Sequence, residues 1–285
     1  MAGAGIKAIK TRMISVESTK QITKAMKLVS TSKLRKAKEK AESADPYFNA
    51  LKDTVQDIAR ATKGVNNVFM QDREAINRCF IVIAGDRGLA GGYNSNVFKE
   101  AMTQMLGEKE RIIAIGSKSY EYFSKRKYEI VRHVDNVETC TYDDVADIAD
   151  TVMEMYKNNE IDEVSIIYTK FRSALVQEVK CLRLLPLLPH EIEPKEKKSS
   201  SRVQYLPSPD AVLSHIVPNY LRGMIYGGVV ESFASEQGAR RTAMESATDN
   251  ADEMISKLEL SYNRARQTAV TQEITEIVGG VEALK

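Results

Sequence analysis

Between Gly238 and Gly279 the chain has neither glycine nor proline, and apolar residues recur there at three- and four-residue spacing. Met244, Ala247, Ala251, Met254 and Leu258 mark the first part of this stripe. The rhythm lapses at Ser261 and returns at Val270, Ile274, Ile277, Val281 and Leu284. Such spacing predicts one long helix, of roughly 60 Å at 1.5 Å per residue, with a seam that needs a helical partner. The other end of the chain supplies one. From Ile6 to Asp45 there is again no glycine or proline, and Ile6, Ile9, Met13 and Val16 keep the same rhythm. Lys20, Thr23, Lys27 and Ser30 then fall where a strict heptad wants apolar groups. The expectation is that the seam slips to Ile22, Met26 and Val29, with a local change of winding, before Leu34, Ala37, Ala41 and Ala44 resume the first register. Pro46 predicts a kink or short break in a helix that continues to about Thr62.

The middle of the chain alternates strand and helix patterns. After a polar linker at Asn66–Arg78, Cys79–Ala84 reads as a buried strand that runs into the turn GDRGLAGGYN. Asn94 or Ser95 is placed to cap a helix through Leu106, ended by Gly107. Arg111–Ile115, Glu129–Val134, Glu163–Lys170 and Leu175–Leu184 read as further strands, Ser117–Arg126 as a helix. Thr141 and Asp144 predict the capped start of a helix to Lys157. His190–Ser208 reads as a loop, and Ser208-Pro209-Asp210 as a helix start with cap, proline and first-turn acid. Pro218 and Gly227-Gly228 are expected to bend the early part of that helix. The fold class expected is mixed α+β and α/β. A long antiparallel two-helix coiled coil forms from residues 1–62 and 209–285, and a Rossmann-like α/β domain with a partly parallel sheet is inserted at 75–190.

Charge sharpens this picture. The whole chain has a formal net charge of only +2, but residues 1–45 carry eleven Lys/Arg against four Asp/Glu (11 − 4 = +7). Residues 210–285 carry seven against eleven (7 − 11 = −4), so the two arms suit each other electrostatically. Cys79, Cys140 and Cys181 have no paired spacing, which fits a reducing compartment and gives neither a disulfide framework nor a metal site. No apolar run reaches the ~20 residues that span a bilayer, and MAGAGIKAIK lacks a secretory core, so a cytosolic-side protein with only indirect membrane links is expected.

Candidate chemistry is sparse. The turn Gly85–Asn94 sits where phosphate sites often lie, but it lacks a Gly-Lys-Ser/Thr ending and its glycines miss G-x-G-x-x-G. The simpler reading is a tight connection, with Asp86 and Arg87 available to a partner. His133, His190 and His215 are too dispersed for a metal or a triad, and Asp143 and Asp144 read as helix-start carboxylates. The lysines of KLRKAKEK (Lys33–Lys40) have no interleaved aromatics, which favours a solvated face, or one turned to an acidic protein, over nucleic acid. Gln267 and Thr271 share a helix face, and the apolar tip Ile274–Leu284 runs past any residue of the N-terminal arm. That tip predicts a sleeve supplied by another protein. A coiled-coil scaffold and a nucleotide-binding enzyme using Gly85–Asn94 are the competing readings.

TKQITKAMKLVSTSKLRKAK (Thr19–Lys38), GDRGLAGGYN, SEQGARRTAMESATDNA (Ser235–Ala251) and NRARQTAVTQEITEIVGG (Asn263–Gly280) resemble the gamma subunits of bacterial F-type ATP synthases. Lys27 stands where many relatives carry an acidic or apolar residue. The resemblance implies a central rotor shaft with no catalytic site, cofactor or metal of its own. It implies three alpha and three beta subunits around the coiled coil, an epsilon subunit and a membrane c ring at the foot, and no nucleic acid. The location implied is the cytoplasmic face of the cell membrane, peripheral, through the complex. Arg266, Gln267 and Thr271 match residues that meet a beta-subunit loop, Lys24 and Met26 match the neck of the shaft, and Tyr205 matches a foot segment near the c ring.

Overall fold

The computed structural model describes residues 2–61, 67–105, 107, 110–173, 176–188 and 205–282. Contacts divide the chain into two compact units, Met1–Ser30 with Arg240–Lys285, and Thr31–Ala239. Helix α1 covers Ala2–Ala61 and α5 covers Pro209–Glu282. Each contains an internal proline, Pro46 or Pro218, without losing helical continuity. The predicted break at Pro46 is therefore absent: one missing N–H bond is tolerated where the helix is held by packing on both sides.

In the first unit α1 and α5 run antiparallel, because bonded partners Lys20–Asp252, Thr23–Thr248 and Lys27–Glu245 have residue numbers summing to 272, 271 and 272. The expected slip to a second seam does not occur. The covered positions of α1 continue in heptad register as Ile6, Ile9, Met13, Val16, Lys20, Thr23, Lys27 and Ser30, with Glu17 and Met26 half-covered at the edge of that line. Ile22 and Val29 are left 58% and 56% exposed. The reason is chemical: each polar residue in the seam of α1 between Lys20 and Lys27 faces a polar group on α5, so burying it costs little. On α5 the covered line is Met244, Thr248, Ala251, Ile255, Leu258, Tyr262, Ala265 and Ala269, again in 4–3 alternation with no lapse at Ser261. Met254 and Val270, assigned to the seam by their apolarity, are exposed.

The second unit is built on a five-stranded sheet of order β3-β2-β1-β4-β5. Strands β1 (Arg78–Ile83), β2 (Arg111–Ile115), β3 (Glu129–Val134) and β4 (Glu163–Phe171) are parallel, and β5 (Gln177–Leu185) is antiparallel to β4. From β1 to β4 the strands are joined by α2 (Tyr93–Gln104), α3 (Ser117–Lys125) and α4 (Tyr142–Lys157). One sheet face, with Phe80, Val82, Ile112, Ala114 and Ile167, packs on α2 and α3 residues such as Val97 and Phe123. The other, with Ile81, Ile83, Ile113, Ile115 and Ile166, packs on α4 and on α5 residues Leu221, Ile225 and Val229.

Two glycines let α5 lie close to the sheet and to α1. A Cβ on Gly228 would sit 2.9 Å from Cδ1 of Ile166 and 3.2 Å from Cδ1 of Ile83, while one on Gly223 would meet the Phe48 ring of α1 at 3.0 Å. The Thr141–Asp144 capping box forms as predicted, and Ala211 N donates to Ser208 Oγ at the start of α5. The cap predicted for α2 does not form: Gly92 holds the N-cap position, and Asn94 instead accepts from Gly85 N. Within the stretch expected to be linker, Phe69 is buried in a short 3-10 turn. Thr62, Leu106, Leu175 and the predicted loop from His190 to Gln204 lie outside the described residues.

Candidate functional site

Two regions hold the site residues singled out by sequence other than Tyr205: the terminal helices and the glycine-rich turn. In the helix pair three cross-helix contacts follow one another along the seam. Lys20 Nζ lies 2.6 Å from Asp252 Oδ1, Thr23 Oγ1 lies 2.8 Å from Thr248 Oγ1, and Lys27 Nζ lies 2.7 Å from Glu245 Oε1. Hydrogen bonding to Asp252 raises the Lys20 pKa, and hydrogen bonding from Lys27 lowers that of Glu245. Lys27 is thus a seam residue with a bound carboxylate. Lys24 is exposed and Met26 half-buried beside it.

Beyond the last covered position, Ala269, α5 has no helical neighbour among the described residues. The pairing sum of 272 places Ala2 opposite Val270, and no described residue of α1 remains to face the helix from Thr271 onward. Ile274, Ile277 and Val278 are 56%, 66% and 55% exposed. The side chains of Val281 and Leu284 lie outside the described residues. Arg266, Gln267 and Thr271 are exposed, flanking the seam residues Ala265 and Ala269. The part of the expected apolar tip that is described, Ile274–Val278, is therefore uncovered by any described residue, and it is bordered by a cation, an amide and a hydroxyl.

The glycine-rich turn follows β1 and has a different occupation. The half-buried carboxylate of Asp86 accepts from Ser117 N at 3.3 Å and Val137 N at 3.0–3.1 Å, tying together the turns after β1, β2 and β3. Burial pushes its pKa up against the pull of these donors. Asp86 serves this internal junction, whereas Arg87 is exposed with its carbonyl accepting from Asn94 Nδ2. Tyr205 is only half-exposed and packs against the core of its own unit, with its pKa raised by that burial and by Asp57. In the run KLRKAKEK, Arg35 and Lys38 pair along the helix with Glu39 and Glu42, and Lys33 pairs with the distant Glu138.

His133 stacks on Tyr120 at 4.4 Å, and His215 is exposed on α5; His190 lies outside the described residues. Burial raises the thiols of Cys79 to about 12 and of Cys140 and Cys181 to about 11, far from a reactive thiolate. Among the described residues no group of His, Cys, Asp or Glu could hold a metal ion, and no helix is long and apolar enough to cross a membrane.

Residues missed by sequence reasoning lie in Val230–Arg240, where Ser232, Ser235, Glu236, Gln237 and Arg240 are all buried. Their signal was a dense polar cluster, SEQGARR, inside a helix with no interruption to explain it.

The chain matches the family model for ATP synthase over residues 5–284. It is 47% identical to the ATP synthase gamma chain of Alkaliphilus metalliredigens, over 99% of this chain and 100% of that one. It is 44% identical to the "ATP synthase gamma chain, sodium ion specific" of Acetobacterium woodii, with 98% of each chain covered. Among solved structures it resembles a chain of the Euglena gracilis mitochondrial ATP synthase in the OSCP/F1/c-ring cryo-EM structure. The TM-score is 0.69 at 19% identity, with 99% of this chain and 95% of that chain covered. A chain of the Tetrahymena thermophila central stalk and c-ring structure gives 0.62 at 23% identity, over 79% and 99%. A helix pair made from the chain's two ends, a five-stranded sheet between them and near-complete agreement with gamma chains lead to one assignment: the chain belongs to the gamma chain family of the ATP synthases.

Proposed function

We propose that this chain is the central rotor shaft of a bacterial ATP synthase, surrounded by three alpha and three beta subunits and joined at its foot to an epsilon subunit and a c ring. It makes and breaks no bond itself. Its work is to present different faces in turn to chemically identical catalytic neighbours, while ion-driven rotation of the c ring turns it, or ATP hydrolysis turns it in reverse. It acts at the cytoplasmic face of the membrane and is held there only through the complex.

The observation that carries this reading is the bare end of α5, where Ile274, Ile277 and Val278 are exposed beyond the reach of α1. Apolar groups exposed together at the end of a helix call for a surrounding sleeve. Moving a catalytic site from almost wholly open to almost wholly closed takes ~5.5 kcal/mol of differential contact. A few charge-assisted hydrogen bonds and some apolar packing, made to one conformer and not the next, supply that much. Arg266, Gln267 and Thr271 are the groups proposed to touch a beta-subunit loop. Lys24 and Met26 are proposed to pass the base of beta, and Asp86, Arg87 and Tyr205 to belong to the foot.

The test is reconstitution. The purified chain alone should hydrolyse no ATP, and mixed with alpha and beta subunits it should co-purify and restore ATPase activity. Failure to co-purify would overturn the proposal, and turnover by the chain alone would point instead to an enzyme site of its own.

A further inference from the structure

In open sheets of parallel strands, ligands bind outside the carboxyl ends of the strands where the strand order reverses. Here that point lies between β1 and β4, since β2 and β3 extend to one side of β1 while β4 lies on the other. The glycine-rich turn opens over it. The crevice is filled by the chain itself. A Cβ on Gly85 would lie 2.8 Å from both Cδ and Oε1 of Glu236, whose side chain reaches in from α5 and is only 2% exposed as a residue. The next atom a Cβ would meet is Asn94 Oδ1 at 3.2 Å, which accepts from Gly85 N.

Around this carboxylate the same helix closes the end of β4. The ladder between β1 and β4 ends at Val82 and Ile167, and two residues on, Thr169 N donates to Ser232 Oγ while Thr169 O accepts from Ser235 Oγ. Tyr93 Oη, on α2, donates to the Ser232 carbonyl, and Glu236 is among the charges that raise the Tyr93 pKa.

We infer that Glu236 is a built-in occupant of this crevice: a carboxylate supplied by α5 where folds of this topology hold a ligand anion, latching α5 to the turn at Gly85. Gly85 is then required because Glu236 takes the space of its side chain, not because a phosphate must approach. Removing the carboxylate should leave a niche that fits a small monocarboxylate anion.

The test is a mutant cycle on the full-length chain, read by thermal unfolding. Gly85→Ala should lower the unfolding midpoint by several degrees in the natural background and do little in a Glu236→Ala background, where the clashing atoms are gone. Acetate, compared with chloride at equal ionic strength, should raise the midpoint of Glu236→Ala but not of the natural chain. Equal losses from Gly85→Ala in both backgrounds would overturn the inference, as would an acetate effect common to both proteins. Should Glu236→Ala fail to fold, Glu236→Asp draws the carboxylate back by one methylene, and the cycle with Gly85→Ala must show the same relief.

Discussion

Replacing the Thr23–Thr248 pair tests where the helix seam runs. Thr23 is 8% exposed, and its hydroxyl lies 2.8 Å from that of Thr248; each hydroxyl also lies within bonding distance of a carbonyl of its own helix, Lys20 O or Met244 O. Valine matches threonine in shape. Thr23→Val or Thr248→Val alone removes one shared hydrogen bond, with a net cost of about 0.5–1.5 kcal/mol, reduced where the surviving hydroxyl keeps its bond within the helix. The double variant buries four methyl groups with no hydroxyl left to satisfy, and should be near neutral or stabilising. A favourable coupling of about 0.5–1.5 kcal/mol is therefore expected from urea unfolding of the full-length chain and the four-cornered cycle. If the seam instead ran through Ile22, Met26 and Val29, Thr23 would be a surface residue and the cycle would close additively. Val29→Ser completes the test: it should change stability by no more than about 0.5 kcal/mol. Additive threonines together with a costly Val29→Ser would refute the assignment of the seam.

Neighbouring glycines of α5 should respond to alanine with opposite signs. Gly227→Ala meets only ordinary contact with Phe48 at 3.5 Å and should stabilise by about 0.5–1 kcal/mol through helix propensity, whereas Gly228→Ala presses on Ile166 and Ile83 and should destabilise by about 1–3 kcal/mol in the same unfolding assay. Thr141→Ala should cost about 0.5–2 kcal/mol by removing the cap of α4. Asp144, whose pKa is lowered chiefly by the backbone N–H of Thr141, stabilises the fold fully above its ordinary value of 3.8, and that contribution is lost as pH falls through the lower folded value. Between 3.8 and that lower value an acid titration of stability should be somewhat flatter in Thr141→Ala than in the natural chain, because the variant loses the hydroxyl that donates to Asp144 and keeps the backbone N–H. In the assembled complex, Arg266→Ala with Gln267→Leu should slow ATP turnover by roughly ten- to a hundredfold, the effect of about 1.4–3 kcal/mol, while the unfolding midpoint of the isolated chain stays put. Cutting the last ten residues should loosen the assembly and impair coupling; binding and coupling left intact would favour a simple coiled-coil scaffold.

Elements with a local cause were readable from the sequence. β2 and β3 span Arg111–Ile115 and Glu129–Val134, as the sequence pattern predicts, and α4 begins at a cap that two side chains define between themselves. What could not be read depended on partners far away in the chain. Lys20, Thr23 and Lys27 look unfit for a seam until Asp252, Thr248 and Glu245 are set opposite them. Apolarity alone then pulled the predicted line toward Ile22 and Val29, one position off. Asn94 illustrates the same limit: its side chain suits a helix cap, but the backbone N–H of Gly85 claims it first. The turn at Gly85 resembles a ligand loop because Gly85 itself is needed for close approach and Gly91 for a positive φ, and only the fold reveals that the approaching group is Glu236.

Burial along α5 falls in three steps that its composition follows. From Gly228 to Arg240 nearly every residue is covered, and Gly, Ser and Ala predominate there, since small side chains let the helix lie close to its surroundings. From Met244 to Ala269 the cover narrows to the 4–3 line, with Glu245 and Ala247 half-covered beside its start, a stripe that suits one neighbouring helix. From Val270 to Val278 nothing is covered, yet Ile and Val return. Were that last segment merely a solvated end, selection for solubility would favour charged residues on every face, and β-branched residues lower helix propensity besides. Large apolar groups at Ile274, Ile277 and Val278 carry a cost in the free chain that only a partner's surface offsets. Ile274→Glu with Ile277→Glu should therefore leave the unfolding of the isolated chain unchanged, or improve its solubility, and weaken its incorporation into the complex measured by co-purification. Full incorporation of that double variant would show that the tip needs no sleeve.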